Sequence, residues 1–434
     1  MNKPGKLGRN IISNASGNAL VSALQLALIP LLFAKLDDHT YAAFITAGYL
    51  IGLMEIASDY GGRLWAAREF SVAENPRHVF GLSIRTKAFY TIITVIVLSF
   101  LPSNKLPLEG FLLSALIAAT QPSTDPFLWF MRGRERLDIE AVVVFVSRVV
   151  IVIGMAVAAL LGTGLIALLS VWLVGNLLRM LVESRLSITR SLFDRTTPTA
   201  DHDQQRTMQT IASVFPFGTA LVMTCIFQRT SLWLLDWYAT VPEYNIYSTA
   251  FKFVNTSGTV ATAIFVSSFA RLTQAIEADD AEAIRAVIRR KLILVTAVFL
   301  PACFFGILLI GPLSGLLTSA SVTDVAGVMV LLMPGLYVSC VNMGLKYTLN
   351  AYKLNWHDVG AVAVGIAALS IATVFHGGMS WWTAGAVGWF VGESVLLLSR
   401  LGLLWKEKKH AGVPVGMIFG SAAALLLMMV LRIT

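Results

Sequence analysis

The chain has 434 residues, 56% hydrophobic and only 13% charged, with a mean hydropathy of +0.73. A soluble domain of this length cannot hide so much apolar surface, so the composition excludes an ordinary water-soluble enzyme and points to a polytopic membrane protein. The formal net charge of +8 needs no nucleic acid to explain it, because cations that flank membrane spans meet anionic lipids.

Apolar runs long enough to cross a bilayer fall near residues 11–34, 41–58, 87–103, 108–131, 139–161 and 164–183. A second set follows near 209–235, 243–269, 291–311, 324–349, 358–376, 381–404 and 413–431. All thirteen are expected to be helices, since a lipid-facing backbone must satisfy its own hydrogen bonds. The basic start MNKPGKLGRN leads into a run longer than a signal-peptide core, so it is read as a retained first span. With a cytoplasmic amino terminus, the segments placed outside carry only Lys35, Lys105 and Arg432. That bias fixes the expected orientation.

In the first span Asn14, Asn18 and Gln25 recur at helical spacing. The second closes on Glu55, Asp59 and Arg63, four residues apart and therefore on one face. Asp59 and Arg63 can simply pair to finish the helix, whereas Glu55, a turn deeper, is the better candidate for gating or proton binding. The fourth span carries Asp125 between Pro122 and Pro126, a further candidate for coupling or gating. The fifth holds Arg148 about ten residues in, ~15 Å at ~1.5 Å per residue, and so near the midplane.

The polar stretch RSLFDRTTPTADHDQQRTMQ separates the two sets of six spans. The expected organisation is an amino-terminal six-helix lobe at 1–189, a cytoplasmic linker at 190–208, a second six-helix lobe at 209–404, and an extra helix at 405–434. Because six is even, both lobes start on the same side, as a parallel repeat requires. The seventh span brings Gln228 and Arg229. The eighth brings Ser248, Lys252, Asn255 and Thr259 over successive turns, and the twelfth carries Glu393 near its middle. Such Ser, Thr and Asn residues can glue helices together or line a wet cavity, and a lysine amid the stripe favours the cavity. Ionisable groups inside spans usually face a cavity or a partner. Arg148, Arg229 and Lys252 are therefore candidate anion-binding residues, and Glu393, Asp125 and Asp236 are the possible structural counter-charges.

The segments LLFAKLDDHTYAAFITAGYLIGLMEIASDYGGRLWAARE and WFMRGRERLDIEAVVVFVSRVV resemble the Wzx-like polysaccharide-repeat flippases of the multidrug/oligosaccharidyl-lipid/polysaccharide exporter superfamily. The acid-aromatic-glycine turn Asp59-Tyr60-Gly61 before the pair Arg68-Glu69 carries the likeness. It implies two six-helix lobes around a central cavity. It also implies alternating-access transport of an undecaprenyl-pyrophosphate-linked oligosaccharide, of O-antigen or exopolysaccharide type, beside polysaccharide polymerase machinery in a bacterial inner membrane. The thirteenth span departs from the twelve-helix plan. Multidrug exporters of the superfamily usually present an acid in the first span, and lipid II flippases an arginine with an acid; this first span has neither.

Absences narrow the remaining classes. No G-x-x-x-x-G-K-[ST] loop is present, so no nucleotide cofactor is expected, nor any other cofactor. Cys225, Cys303 and Cys340 have no metal-ligand spacing, and the six histidines sit in loops or at span ends. An enzyme acting on lipid-linked sugars would need a larger outer loop than any found here. A proton or sodium counter-ion would need an acid reached from both sides, and Glu55 and Glu393, both acids within spans, are the candidates.

Overall fold

A computed structural model describes residues 24–62, 66, 69–70, 76–99, 103–134, 136–186, 203–314, 320–375, 377–407 and 413–433. Asn14, Asn18, Arg63 and most of the expected linker lie outside these residues. The chain divides into two compact units, Met1–Cys225 and Ile226–Thr434.

The first unit contains α1 (Leu24–Lys35), α2 (Asp38–Asp59), α3 (Pro76–Ser99), α4 (Leu108–Ala119), α5 (Gln121–Gly133), α6 (Leu137–Leu160), α7 (Leu165–Arg185) and the start of α8 (Asp203–Tyr238). The second holds the rest of α8, then α9 (Val241–Ser257), α10 (Thr259–Glu277), α11 (Ala281–Ser314), α12 (Ala320–Ala351), α13 (Asn355–Val374), α14 (Trp381–Lys406) and α15 (Val415–Ile433). The described secondary structure is all helical. Eight of the described helices, α2, α3, α6, α7 and α11 to α14, are long and apolar enough to cross a membrane. The protein is therefore an all-α polytopic membrane protein.

Two expected spans are each broken in two. The run 108–131 divides at Thr120 because Pro122 has no N–H to offer the Ala118 carbonyl; the Thr120 N–H turns back to Ile117 at 3.1 Å instead. The run 243–269 divides at Gly258. Just before it the Thr256 and Ser257 hydroxyls donate to the carbonyls of Lys252 and Phe253, at 2.7 and 3.1 Å. Such back-bonding bends a helix, and glycine adds no side chain to hold it straight.

Helix ends are set by local chemistry. Asp37 caps α2 by accepting the Thr40 N–H at 3.0 Å. The helix stops at Tyr60, whose φ of 41° is left-handed, and Gly61 continues at φ 81°. A tyrosine there is strained by about 1 kcal/mol, and its packing holds it: the ring stacks on Tyr90 of α3 with centroids 4.3 Å apart. Its hydroxyl lies 2.7 Å from that of Thr219 in α8.

In the second unit, Glu243 takes the Thr240 N–H at 3.2 Å through one oxygen and the Trp381 N–H at 3.2 Å through the other. One side chain thus ties the starts of α9 and α14. Helices α13 and α14 approach closely because α14 presents Gly388 and Gly392. A Cβ at Gly388 would meet Thr373 Oγ1 at 2.0 Å, and one at Gly392 would meet Leu369 Cβ at 2.7 Å. Small residues are how helices gain contact area where lipid supplies no hydrophobic drive.

Candidate functional site

Each unit encloses its own ionic cluster. In the first, α3 contributes Lys87, α5 Asp125, and α7 both Arg179 and Glu183. Lys87 donates to Asp125 in a close ion pair, with side chains only 1% and 6% exposed. Arg179 Nη2 stands 3.7 Å from the other Asp125 oxygen, and its Nε donates to Glu183 at 2.8 Å. Among the described residues Arg179 Nη2 finds no hydrogen-bond partner. The Lys87 ammonium also lies 5.2 Å from the Trp129 ring centroid, a favourable cation–π arrangement away from water. Asp125, placed among the coupling or gating candidates, thus lies at the centre of a four-residue network.

Arg148 on α6 is half-buried. Its electrostatic neighbours are Glu55 of α2, Arg179 and Asp125. The fold therefore brings together three residues singled out in the sequence, Glu55, Asp125 and Arg148, and adds Lys87, Arg179 and Glu183. Asp59 is buried at the end of α2, and Gln25 is half-buried on α1.

In the second unit Arg400 of α14 grips Asp358 of α13 through Nε at 2.7 Å and Nη2 at 3.2 Å, while its Nη1 donates to the Asn342 carbonyl at 2.9 Å. The Asn342 amide donates to the Glu393 carboxylate at 2.7 Å and to its carbonyl at 2.8 Å. Glu393 is 2% exposed. It is held by the neutral donors Asn342 and Ser339, with Arg400 acting at longer range. A carboxylate held in this way can gain or lose a proton without an ion pair being broken.

Ser248 is buried on α9, whereas Lys252, Asn255, Gln228 and Arg229 are half-buried. The polar stripe of α9 thus grades from the packed interior towards accessible surface. The side chain of Thr259 lies outside the described residues. Among the described residues no three His, Cys, Asp or Glu side chains converge to hold a metal ion.

Lys87, Arg179, Glu183, Asp358, Arg400 and Asn342 were not among the sequence candidates. Only the i,i+4 spacing of Arg179 and Glu183 announces a pair in the sequence.

Residues 7–274, more than half of the chain, match the polysaccharide biosynthesis protein family. No curated protein matches the sequence. Among solved structures, the chain is similar to the lipid II flippase MurJ in an inward closed conformation, at 14% identity and TM-score 0.66, over 97% of this chain and 92% of that one. It is also similar to a eukaryotic MATE transporter, AtDTX14, at 10% identity and TM-score 0.63, over 97% of both chains. A third similar structure is an inward-facing multidrug resistance MATE family transporter of the MOP superfamily, at 14% identity and TM-score 0.64, over 92% of this chain and 98% of that one. At these identities the likeness establishes the fold.

Proposed function

Because the chain belongs to the polysaccharide biosynthesis protein family, we propose that it is a flippase for an undecaprenyl-pyrophosphate-linked oligosaccharide of O-antigen or exopolysaccharide type. It moves this substrate from the cytoplasmic to the outer face of a bacterial inner membrane by alternating access. The observation that carries the reading is a polysaccharide-biosynthesis family on a fold shared with a lipid II flippase.

The cations proposed to receive the pyrophosphate are Arg148 in the first unit and Arg229 and Lys252 in the second. Phosphate oxygens leaving water need charge-assisted donors, and arginine offers two parallel N–H groups where lysine offers a point charge. Gln25, Asn14, Asn18, Gln228, Ser248, Asn255 and Thr259 are proposed to meet sugar hydroxyls. An anion moving outward across an inside-negative membrane gains about 2.3 kcal/mol per charge per 100 mV, which drives part of the cycle. For a proton or sodium counter-ion, Glu393 is favoured over Glu55, because its partners are neutral whereas Glu55 is opposed by Arg148. Asp59 and Arg63 are proposed to close the cytoplasmic end of α2.

The amino terminus is placed in the cytoplasm with thirteen crossings, so reporter fusions after Leu404 and after Thr434 should fall on opposite sides. The functional test is complementation. Lys252→Gln and Arg148→Gln should reach the membrane at normal levels and yet fail to restore surface polysaccharide to a flippase-null cell. Normal polysaccharide from both singles and the double variant, at matched expression, would sink the cationic site. The MATE likeness supports a second reading, export of another amphipathic solute, which the same cells would reveal if the unaltered chain restored no polysaccharide.

A further inference from the structure

Helix α11 changes chemistry abruptly along one face. Asp280 caps its start by accepting the Ala283 N–H at 2.9 Å. Arg285, Arg289 and Arg290 then stand exposed at i, i+4 and i+5. The same rows continue as exposed Ile293, Leu294 and Val298, and farther on as Phe304, Phe305 and Leu309. Ile288, Leu292, Val295, Phe299 and Cys303 on the opposite face are buried, where α11 packs on α10, α12 and α15. Ile293 stands three positions after Arg290, about 5 Å along the helix, so exposed cations give way to exposed apolar side chains within one turn.

Among the described residues none of these three guanidiniums has an ion-pair partner. Asp279, Asp280 and Glu282 precede the arginines in the chain and stand farther from the apolar stripe, with Asp280 already occupied as the cap. An unpaired guanidinium beside an outward apolar face matches one amphipathic chemistry: an anionic phosphate group joined to hydrocarbon.

We propose that this end of α11 binds an anionic phospholipid of the surrounding leaflet. Arg285, Arg289 and Arg290 hold the headgroup phosphate with charge-assisted hydrogen bonds, and the acyl chains lie along Ile293, Leu294 and Val298. The site is independent of the transported substrate and concerns the lipid that anchors the second unit in its membrane.

The test titrates the detergent-solubilised full chain with phosphatidylglycerol, or with phosphatidylcholine of the same acyl chains, and counts bound lipids by native mass spectrometry. Phosphatidylglycerol should bind in preference, and its affinity should fall about fivefold for each arginine changed to Gln. Lys406→Gln, at another exposed cation, should leave that affinity unchanged, and inorganic phosphate should not displace the lipid. Equal binding of the two lipids, or a triple Arg285→Gln, Arg289→Gln, Arg290→Gln variant that retains parental affinity, overturns the proposal. Should the triple variant not fold, Arg289→Gln alone decides by the same fivefold criterion.

Discussion

Arg400 and Asp358 form a two-pronged ion pair, at 2.7 and 3.2 Å, between two helices that approach closely at Gly388 and Gly392. Both side chains are buried, at 2% and 0% exposure. Removing one partner of a buried pair leaves a charge with no compensation, which costs about 3–5 kcal/mol, whereas replacing both with apolar groups is often neutral. Asp358→Leu should therefore lower the thermal midpoint of the detergent-solubilised protein sharply, and adding Arg400→Met should recover much of the loss. Additive losses in the double variant would mean that the pair is not coupled.

The first-unit network leads to a different expectation. Asp125 sits between Lys87 and Arg179, so Asp125→Asn strands part of two positive charges and should reduce the amount of folded protein in the membrane. A coupling acid would behave otherwise: Asp125→Asn would accumulate normally and lose transport alone. Membrane abundance measured beside polysaccharide output separates these outcomes.

Gly218 of α8 gives Tyr60 its place. A Cβ there would lie 2.1 Å from Tyr60 Cδ1 and 2.5 Å from the Tyr60 carbonyl oxygen, and the backbone oxygen cannot step aside as a flexible side chain would. Gly218→Ala should destabilise by about 1–3 kcal/mol, in the range of other overpacked sites. Tyr60→Phe keeps the stack on Tyr90 and loses only the Thr219 hydroxyl contact, so about 1 kcal/mol is expected. The two unfolding midpoints, compared in one detergent, check the order.

The Asp37 cap predicts a pH response outside the spans. Hydrogen bonds from the backbone and hydroxyl of Thr40 hold its carboxyl below the ordinary aspartate value. A depressed folded value means the stabilisation is present above the unfolded aspartate value and disappears as pH falls through the folded one. Asp37→Ala should cost about 1 kcal/mol at neutral pH, and the gap from the parent should close in strong acid. A gap that is constant across that range would show that the carboxylate charge plays no part.

The helices were legible because the apolar runs are long and sharply bounded. Every expected span within the described residues meets a helix, from 41–58 on α2 to 413–431 on α15. The breaks at Thr120 and Gly258 were not legible, since a hydropathy run does not register a missing N–H or a hydroxyl bonded back to its own helix. Acidic positions inside spans were visible as anomalies, which is how Glu55, Asp125 and Glu393 were found. Lys87 and Arg400 were hidden by their places near span ends, where basic residues read as topology signals. Their partners lie 38 and 42 residues away, and only the packing of α3 on α5 and of α13 on α14 brings them together.

The central claim is translocation of a lipid-linked oligosaccharide, and a reconstituted assay tests it most directly. The purified chain is placed in liposomes carrying a polyprenyl-pyrophosphate-linked oligosaccharide, and an impermeant lectin outside reports the sugar that has crossed. The account predicts that sugar from the inner leaflet becomes accessible much faster than in protein-free liposomes, and that Lys252→Gln slows this gain at equal reconstitution. Accessibility that never exceeds the protein-free rate, with the chain folded and inserted, would contradict it.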